Sequence, residues 1–228
     1  DPFIAAFEHT RAPYQFLALS GLYTKSVILD VLALLRVIDN PYDSPSFYRL
    51  LGMPLFGIAA FELSELTHLA NRKGKTLFEA CRMARAFASI QPETLERVDV
   101  ILHLASDLRN EAPRRRVSEL MIQACKDSGL IAHINNKTEQ EKYDSFRHLQ
   151  QFLERVKRFE QQNDHAVLHT FLEEFQEERS SGEDGSLAFD AESGPDVIKL
   201  MTVHASKGLE FRYVFVVNLV DRRFPTQA

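Results

Sequence analysis

Leu200-Met201-Thr202-Val203-His204-Ala205-Ser206-Lys207-Gly208-Leu209-Glu210-Phe211 is the stretch on which the reading of this 228-residue chain turns. Val197 to Val203 alternates in the manner of a strand, a Lys-Gly turn follows, and the apolar run Tyr213 to Val220 has the composition of a second, parallel-type strand. A hydroxyl and an imidazole thus stand at the end of a strand, next to an isolated carboxylate. Ligand sites in open α/β sheets form at the C-terminal ends of parallel strands. Gly208 permits a positive φ or a close backbone approach, N–H groups after the strand can meet phosphate oxygens, and Glu210 can accept from a sugar hydroxyl. A plainer reading has Thr202 and His204 capping the strand with Lys207 and Glu210 in solvent. Spacing alone leaves both open.

Upstream of this stretch, residues 180 to 196 carry Glu183, Asp184, Asp190, Glu192 and Asp196 with no Lys or Arg, and read as an acidic linker or loop. Before the linker the signal is helical back to residue 22. A helix from Thr24 carries Val27, Ile28, Val31, Leu32, Leu34, Leu35 and Ile38 and stops at Asn40-Pro41. Ser44-Pro45 supplies an N-cap and a proline at the first helical position of a helix closed by Gly52. A helix over 59 to 73 presents Phe61, Leu63, Leu66 and Leu69 and ends at Gly74. Thr76-Leu77-Phe78-Glu79 and Thr138-Glu139-Gln140-Glu141 are capping boxes. Helices over 93 to 109 and 116 to 128 lie between them, the latter ended by Gly129. The second box opens a helix to Gln162 with Phe146, Leu149, Leu153, Val156 and Phe159 on one stripe, and a last helix covers 167 to 178. At the other end of the chain, a helix over 2 to 11 precedes the strand-like Tyr14 to Leu19. Strand material therefore brackets a helical block, the pattern of one domain inserted in another. The expected fold is mainly α: a helical insertion bracketed by a few parallel strands from an α/β subdomain, with boundaries at 1–21, 22–178, 179–196 and 197–228.

Composition narrows the class. Apolar residues make up 45%, enough for a core, and no run of about eighteen apolar residues or signal peptide is seen, so an intracellular, cytoplasmic protein without a membrane partner is expected. The lack of an initiator Met and the stop at Ala228 suggest a piece of something longer. Cys81 and Cys125 sit in apolar helical patterns without metal-ligand neighbours and read as buried thiols. The net charge of −5 means that any DNA contact comes from local patches. Arg114-Arg115-Arg116 is the densest basic run. It can grip phosphates or simply be a solvated helix start. Arg72, Lys73 and Lys75 complement a helix C-terminus. His68, His103 and His148 stand singly on helices, and the Phe-rich stripes have the spacing of core rather than of stacking platforms.

The 200–211 segment, with Val214-Phe215 and Phe224-Pro225, resembles helicase motif V of superfamily 1 DNA helicases of the UvrD/Rep/PcrA type. Asp30-Val31-Leu32 through Pro41, and Ser46-Phe47-Tyr48-Arg49-Leu50-Leu51 with Pro54, resemble the start of that family's helical 2B insertion, so the resemblance implies that the bracketing strands belong to its second RecA-like subdomain. The resemblance implies a parent that couples ATP hydrolysis, with Mg²⁺, to movement along single-stranded DNA in the 3′ to 5′ direction and to unwinding at single-strand/duplex junctions. DNA repair, replication or recombination, with protein partners from those processes, is the setting it implies. By position, Thr202 and His204 would contact the DNA backbone, Gly208 would allow close approach to the nucleotide, and Glu210 would hold the ATP ribose. No Gly-x-x-x-x-Gly-Lys-Ser/Thr loop occurs, so the fragment alone is expected to be inactive with no catalytic residue, metal or bound cofactor of its own. Three departures stand out: Val27 replaces a family Glu, Phe56-Gly57-Ile58-Ala59 replaces the duplex-contacting Arg-Gly-Ile-Gly turn, and Asp221-Arg222-Arg223 replaces Glu-Gly before Phe-Pro. Two other readings remain: a protein-docking regulatory helical module, and part of a helicase-nuclease of the AddA/RecB type.

Overall fold

The computed structural model describes residues 2–17, 21–86, 90–181, 183, 185, 197–201, 206 and 210–217. The chain divides into two compact units, Gly21–Leu187 and the two flanking stretches Asp1–Ser20 with Ala188–Ala228.

In the flanking unit, α1 (Pro2–Thr10) leads through Arg11, whose φ of 51° turns the chain, to strand β1 (Tyr14–Leu17). β1 pairs in parallel with β2 (Ile198–Met201), Tyr14 opposite Ile198 and Leu17 opposite Met201. A parallel pair requires a long crossover, and here the crossover is the whole helical unit. The apolar run after β2 departs from its expected strand. Tyr213 to Val217 has no regular structure, and Tyr213 and Phe215 are 75% and 87% exposed. Among the described residues β1 and β2 pair only with each other, and the run adds to neither of them. Residues 218 to 220 of that run lie outside the described residues.

The helical unit starts with a 3-10 turn (Leu22–Thr24), so α2 begins at Ser26 rather than Thr24 and runs to Asp39. It is the central helix: Ile28, Val31, Leu32, Leu34, Leu35, Val37 and Ile38 are all buried, covering nearly every face. α3 (Ser44–Leu51) is capped by Asp43 rather than Ser44. Asp43 accepts from Ser46 N at 3.3 Å and Ser46 Oγ at 2.7 Å, which frees Ser44 Oγ to accept from Leu77 N at 3.1 Å and cap α5 (Leu77–Met83) across 33 positions. Between them α4 (Ala60–Lys73) buries Leu63, Leu66 and Leu69 but leaves Phe61 62% exposed, because Phe61 lies outside the i, i+3, i+6 stripe of the leucines. Gly74, at φ 60° and ψ 37°, ends it in the left-handed conformation that glycine adopts without steric cost.

Then follow α6 (Pro92–Glu111), α7 (Val117–Asp127) and a helix that periodicity missed, α8 (Leu130–Asn135). Gly129 does not lead out of helix into loop. With φ 81° it turns the chain from α7 straight into α8. α9 (Glu139–Gln162) opens at the Thr138/Glu141 box, with both reciprocal bonds formed, and α10 (Leu168–Ser180) packs back along it. The buried stripe of α9 is Leu149, Phe152, Val156 and Phe159, while Phe146 and Leu153 are only partly covered. Phe152 meets Phe171 and Phe175 of α10 in edge-to-face geometry, at 6.1 and 5.9 Å between ring centres, and Tyr23 closes the cluster 4.6 Å from Phe175. Full burial of each ring contributes about 1.5–3 kcal/mol, with about 1 kcal/mol more for each favourable aromatic pair.

Candidate nucleotide and DNA site

β2 ends at Met201, so Thr202 is the next residue after the C-terminal end of a parallel strand. Thr202, His204 and Gly208 lie outside the described residues. Ser206 sits in a turn, and Glu210 follows in irregular chain with its side chain exposed. Of the four candidate ligands the structure therefore describes Glu210 alone. An exposed carboxylate is able to accept from the hydroxyls of a ribose, whereas a phosphate cradle of the Gly-x-x-x-x-Gly-Lys-Ser/Thr type is absent from the sequence. Among the described residues no group of three or more His, Cys, Asp or Glu could hold a metal ion, and no helix is long and apolar enough to cross a membrane.

The Phe56-Gly57-Ile58-Ala59 turn is fully described. Gly57 has φ 64° and ψ 25°, and its carbonyl accepts from Arg97 Nη1 of α6. Ala59 N donates to Glu62 Oε2 at 3.3 Å, and the other oxygen of the buried Glu62 accepts from Thr94 Oγ1. The first turn of α4 is thus satisfied by its own Glu62, and both ends of the loop are tied to α6. Phe56 precedes the glycine, and the guanidinium at the loop comes from Arg97. No spacing rule pairs residues 57 and 97, so the sequence did not reveal this brace.

At the root of the helical unit, Arg155 of α9 donates to Glu174 Oε1 and Glu178 Oε2 of α10, both at 2.8 Å, and Tyr23 Oη donates to Glu178 Oε1 at 2.6 Å. Burial and the Glu178 carboxylate raise the Tyr23 hydroxyl well above its usual range, so it stays a donor. Glu174 and Glu178 share a helix face at i, i+4, a legible signal, but Arg155 as their partner is visible only in three dimensions.

The two cysteines are free and buried, and burial pushes both thiols up to about 12, which makes them inert. His148 is half-buried, and burial together with Lys25 and Arg147 pushes it down to about 4 against the opposing pull of Asp144. His169 is raised by its 3.0 Å contact with Asp39 and by Glu173.

The whole of residues 2–228 matches the family model of the UvrD-like helicase C-terminal domain. The chain is 27% identical to the ATP-dependent DNA helicase PcrA of Bacillus subtilis over 222 residues, 93% of this chain and 28% of PcrA. It is 27% identical to DNA helicase II of Escherichia coli over 225 residues, 94% of this chain and 29% of that protein. To an ATP-dependent helicase/nuclease subunit of Geobacillus thermodenitrificans it is 30% identical over 208 residues, 88% of this chain and 16% of that protein. The chain therefore spans less than a third of these relatives. It belongs to the UvrD-like helicase C-terminal domain family.

Proposed function

We propose that this chain is the C-terminal-domain portion of an ATP-dependent DNA helicase: a motor that hydrolyses ATP with Mg²⁺, moves 3′ to 5′ along single-stranded DNA and separates strands at single-strand/duplex junctions. The observation that carries it is the family match across residues 2–228. Residues 1–21 and 197–228 are assigned to a RecA-like subdomain, 22–178 to a 2B-like insertion, and 179–196 to an acidic linker. In this reading Thr202 and His204 touch the DNA backbone, Gly208 lets the chain approach the nucleotide, and Glu210 accepts from the ATP ribose. ATP supplies the free energy when bound, and its phosphates are held by parts of the protein other than this chain. A cytoplasmic location and a role in repair, replication or recombination belong to the same proposal.

The test is ATPase and unwinding by the full protein. Single-stranded DNA should stimulate hydrolysis, 3′-tailed duplexes should be unwound in preference to 5′-tailed ones, and residues 1–228 alone should hydrolyse nothing above background. A full protein without DNA-stimulated ATPase would overturn the reading. The likeness to the helicase/nuclease of Geobacillus thermodenitrificans favours a second arrangement, in which the same motor is joined to a nuclease. Metal-dependent degradation of the unwound strand separates the two.

A further inference from the structure

We propose that the junction of α6 and α7, together with the adjoining flank of α9, is a binding surface for the phosphate backbone of duplex nucleic acid. The inference rests on the helicase reading, which puts the chain beside DNA, and assigns to it a surface remote from the Gly57 turn and made of residues other than the 202–210 segment. Gly57 is tied to Arg97 near the start of α6, whereas this surface lies at its far end, about 20 Å along the helix at 1.5 Å per residue.

Two segments distant in sequence converge there. Glu160 of α9 accepts from Ser118 N at 2.7 Å and from Ser118 Oγ at 2.9 Å, so a carboxylate of one helix caps the start of another. That contact brings Arg114, Arg115 and Arg116, just before α7, beside the end of α9. Lys157 is three residues before Glu160 and shares its flank, and Arg158 follows it about 100° further round the helix. All five cations are exposed.

Three of the carboxylates nearby are engaged with these segments: Glu111 pairs with Arg115 at 2.8 Å, Glu119 accepts from Arg116 N at 3.4 Å, and Glu160 holds Ser118. A fourth, Glu154, lies one turn before Lys157 and Arg158 and accepts from the Gln150 amide at 3.4 Å. Among the described residues, Arg114, Arg116, Lys157 and Arg158 enter no ion pair. Five cations stand against four carboxylates, Glu111, Glu119, Glu154 and Glu160, a small local excess of positive charge in a chain of net −5. Attraction for a polyanion is thus concentrated on one surface while the bulk field repels it.

The surface suits a phosphate backbone rather than splayed bases. Single-strand grooves interleave cations with aromatic platforms. The exposed aromatics of the described residues are Tyr42, Tyr48, Phe61, Tyr143, Tyr213 and Phe215, none of them on these segments. Contacts of Arg and Lys to phosphate carry no base information, so binding should be independent of sequence.

The experiment is fluorescence anisotropy of a labelled 20-base-pair duplex with residues 1–228, comparing wild type with the quadruple variant R114Q/R116Q/K157Q/R158Q across a salt series. Wild type should bind in a salt-sensitive way. The variant should lose about tenfold in affinity at low salt, and its log–log salt slope should flatten by roughly 0.9 for each phosphate it no longer neutralises. The lysine variant R114K/R116K should retain binding, and thermal melting of all variants should match wild type, since the sites are exposed. Unchanged affinity and slope in the quadruple variant would overturn the inference, and so would polyglutamate of equal charge competing as well as duplex. The same variants in the full protein separate this inference from the reading beneath it. DNA-stimulated ATPase with wild-type duplex binding by the quadruple variant sinks only the surface, while absence of that ATPase in wild type sinks the helicase reading.

Discussion

The backbone N–H of Leu22 donates to the carbonyl of Gly185 at 3.1 Å, joining the first and last turns of a unit of the chain more than 160 positions apart. Around this bond Gly185 lies against the ring of Tyr23, whose hydroxyl reaches Glu178 and, through it, Arg155. The helical unit is closed on itself where it begins and ends.

Gly185 has φ 70°, and a Cβ there would come within 2.8 Å of the Tyr23 ring, which is itself held by Phe152 and Phe175. Gly185→Ala should therefore cost about 2–4 kcal/mol, combining left-handed strain with overpacking. Gly74→Ala is the control: φ is 60° but nothing lies within 4 Å, so only the strain of about 1 kcal/mol applies. Urea denaturation of the two variants checks the difference, and equal losses would contradict it.

Phe152→Ala should destabilise the chain by about 3–5 kcal/mol, because it empties the centre of the aromatic cluster, while Phe61→Ala should change stability by less than about 0.5 kcal/mol. The same denaturation assay measures both. Sequence periodicity puts Phe61 on the core stripe and leaves Phe152 out, so this pair also measures what periodicity misses.

The two perturbed histidines act in opposite directions with pH. His148 is pushed down to about 4 in the folded chain and titrates near 6.5 unfolded, so below pH 6.5 the unfolded state takes up a proton that the folded state refuses. Stability is lost progressively from about pH 6.5 to 4. His148→Phe should flatten that limb of the stability profile. His169 is raised by Asp39, so its contribution is full below its unfolded value and fades as pH rises through the folded one. His169→Gln should lower stability at acid pH and leave it unchanged once the pH lies well above the raised folded-state value. Chemical denaturation at half-unit pH steps reads both effects.

Helix existence and type were legible in the sequence because most stop and start signals are local. Gly74, the Thr76/Glu79 and Thr138/Glu141 boxes, and the Pro after Ser44 all mark real boundaries. What escaped was non-local. Asp43 displaces Ser44 as cap because Ser44 serves a helix 33 positions away, and Gly129 joins two helices where a glycine after a periodic run ordinarily marks an end. The Tyr213 to Val217 run has strand composition but pairs with neither β1 nor β2 among the described residues, and composition does not decide which strand a run pairs with. The motif reading of 200–211 belongs to a different kind of legibility: it identifies the family, while of the residues it nominates only Glu210 is described.

The central claim is that the Glu210 carboxylate holds the nucleotide. Equilibrium binding of a fluorescent ATP analogue to the full protein, wild type against Glu210→Ala, measures it directly, with Glu210→Gln as the isosteric control. If Glu210 accepts from the ribose, the alanine variant should bind about 10- to 100-fold more weakly, the cost of removing a hydrogen bond to a charged group, and ATP-driven unwinding should fall with it. The preference for ATP over 2′-deoxy-ATP should narrow in the same variant. Unchanged nucleotide affinity together with unchanged unwinding would contradict the account.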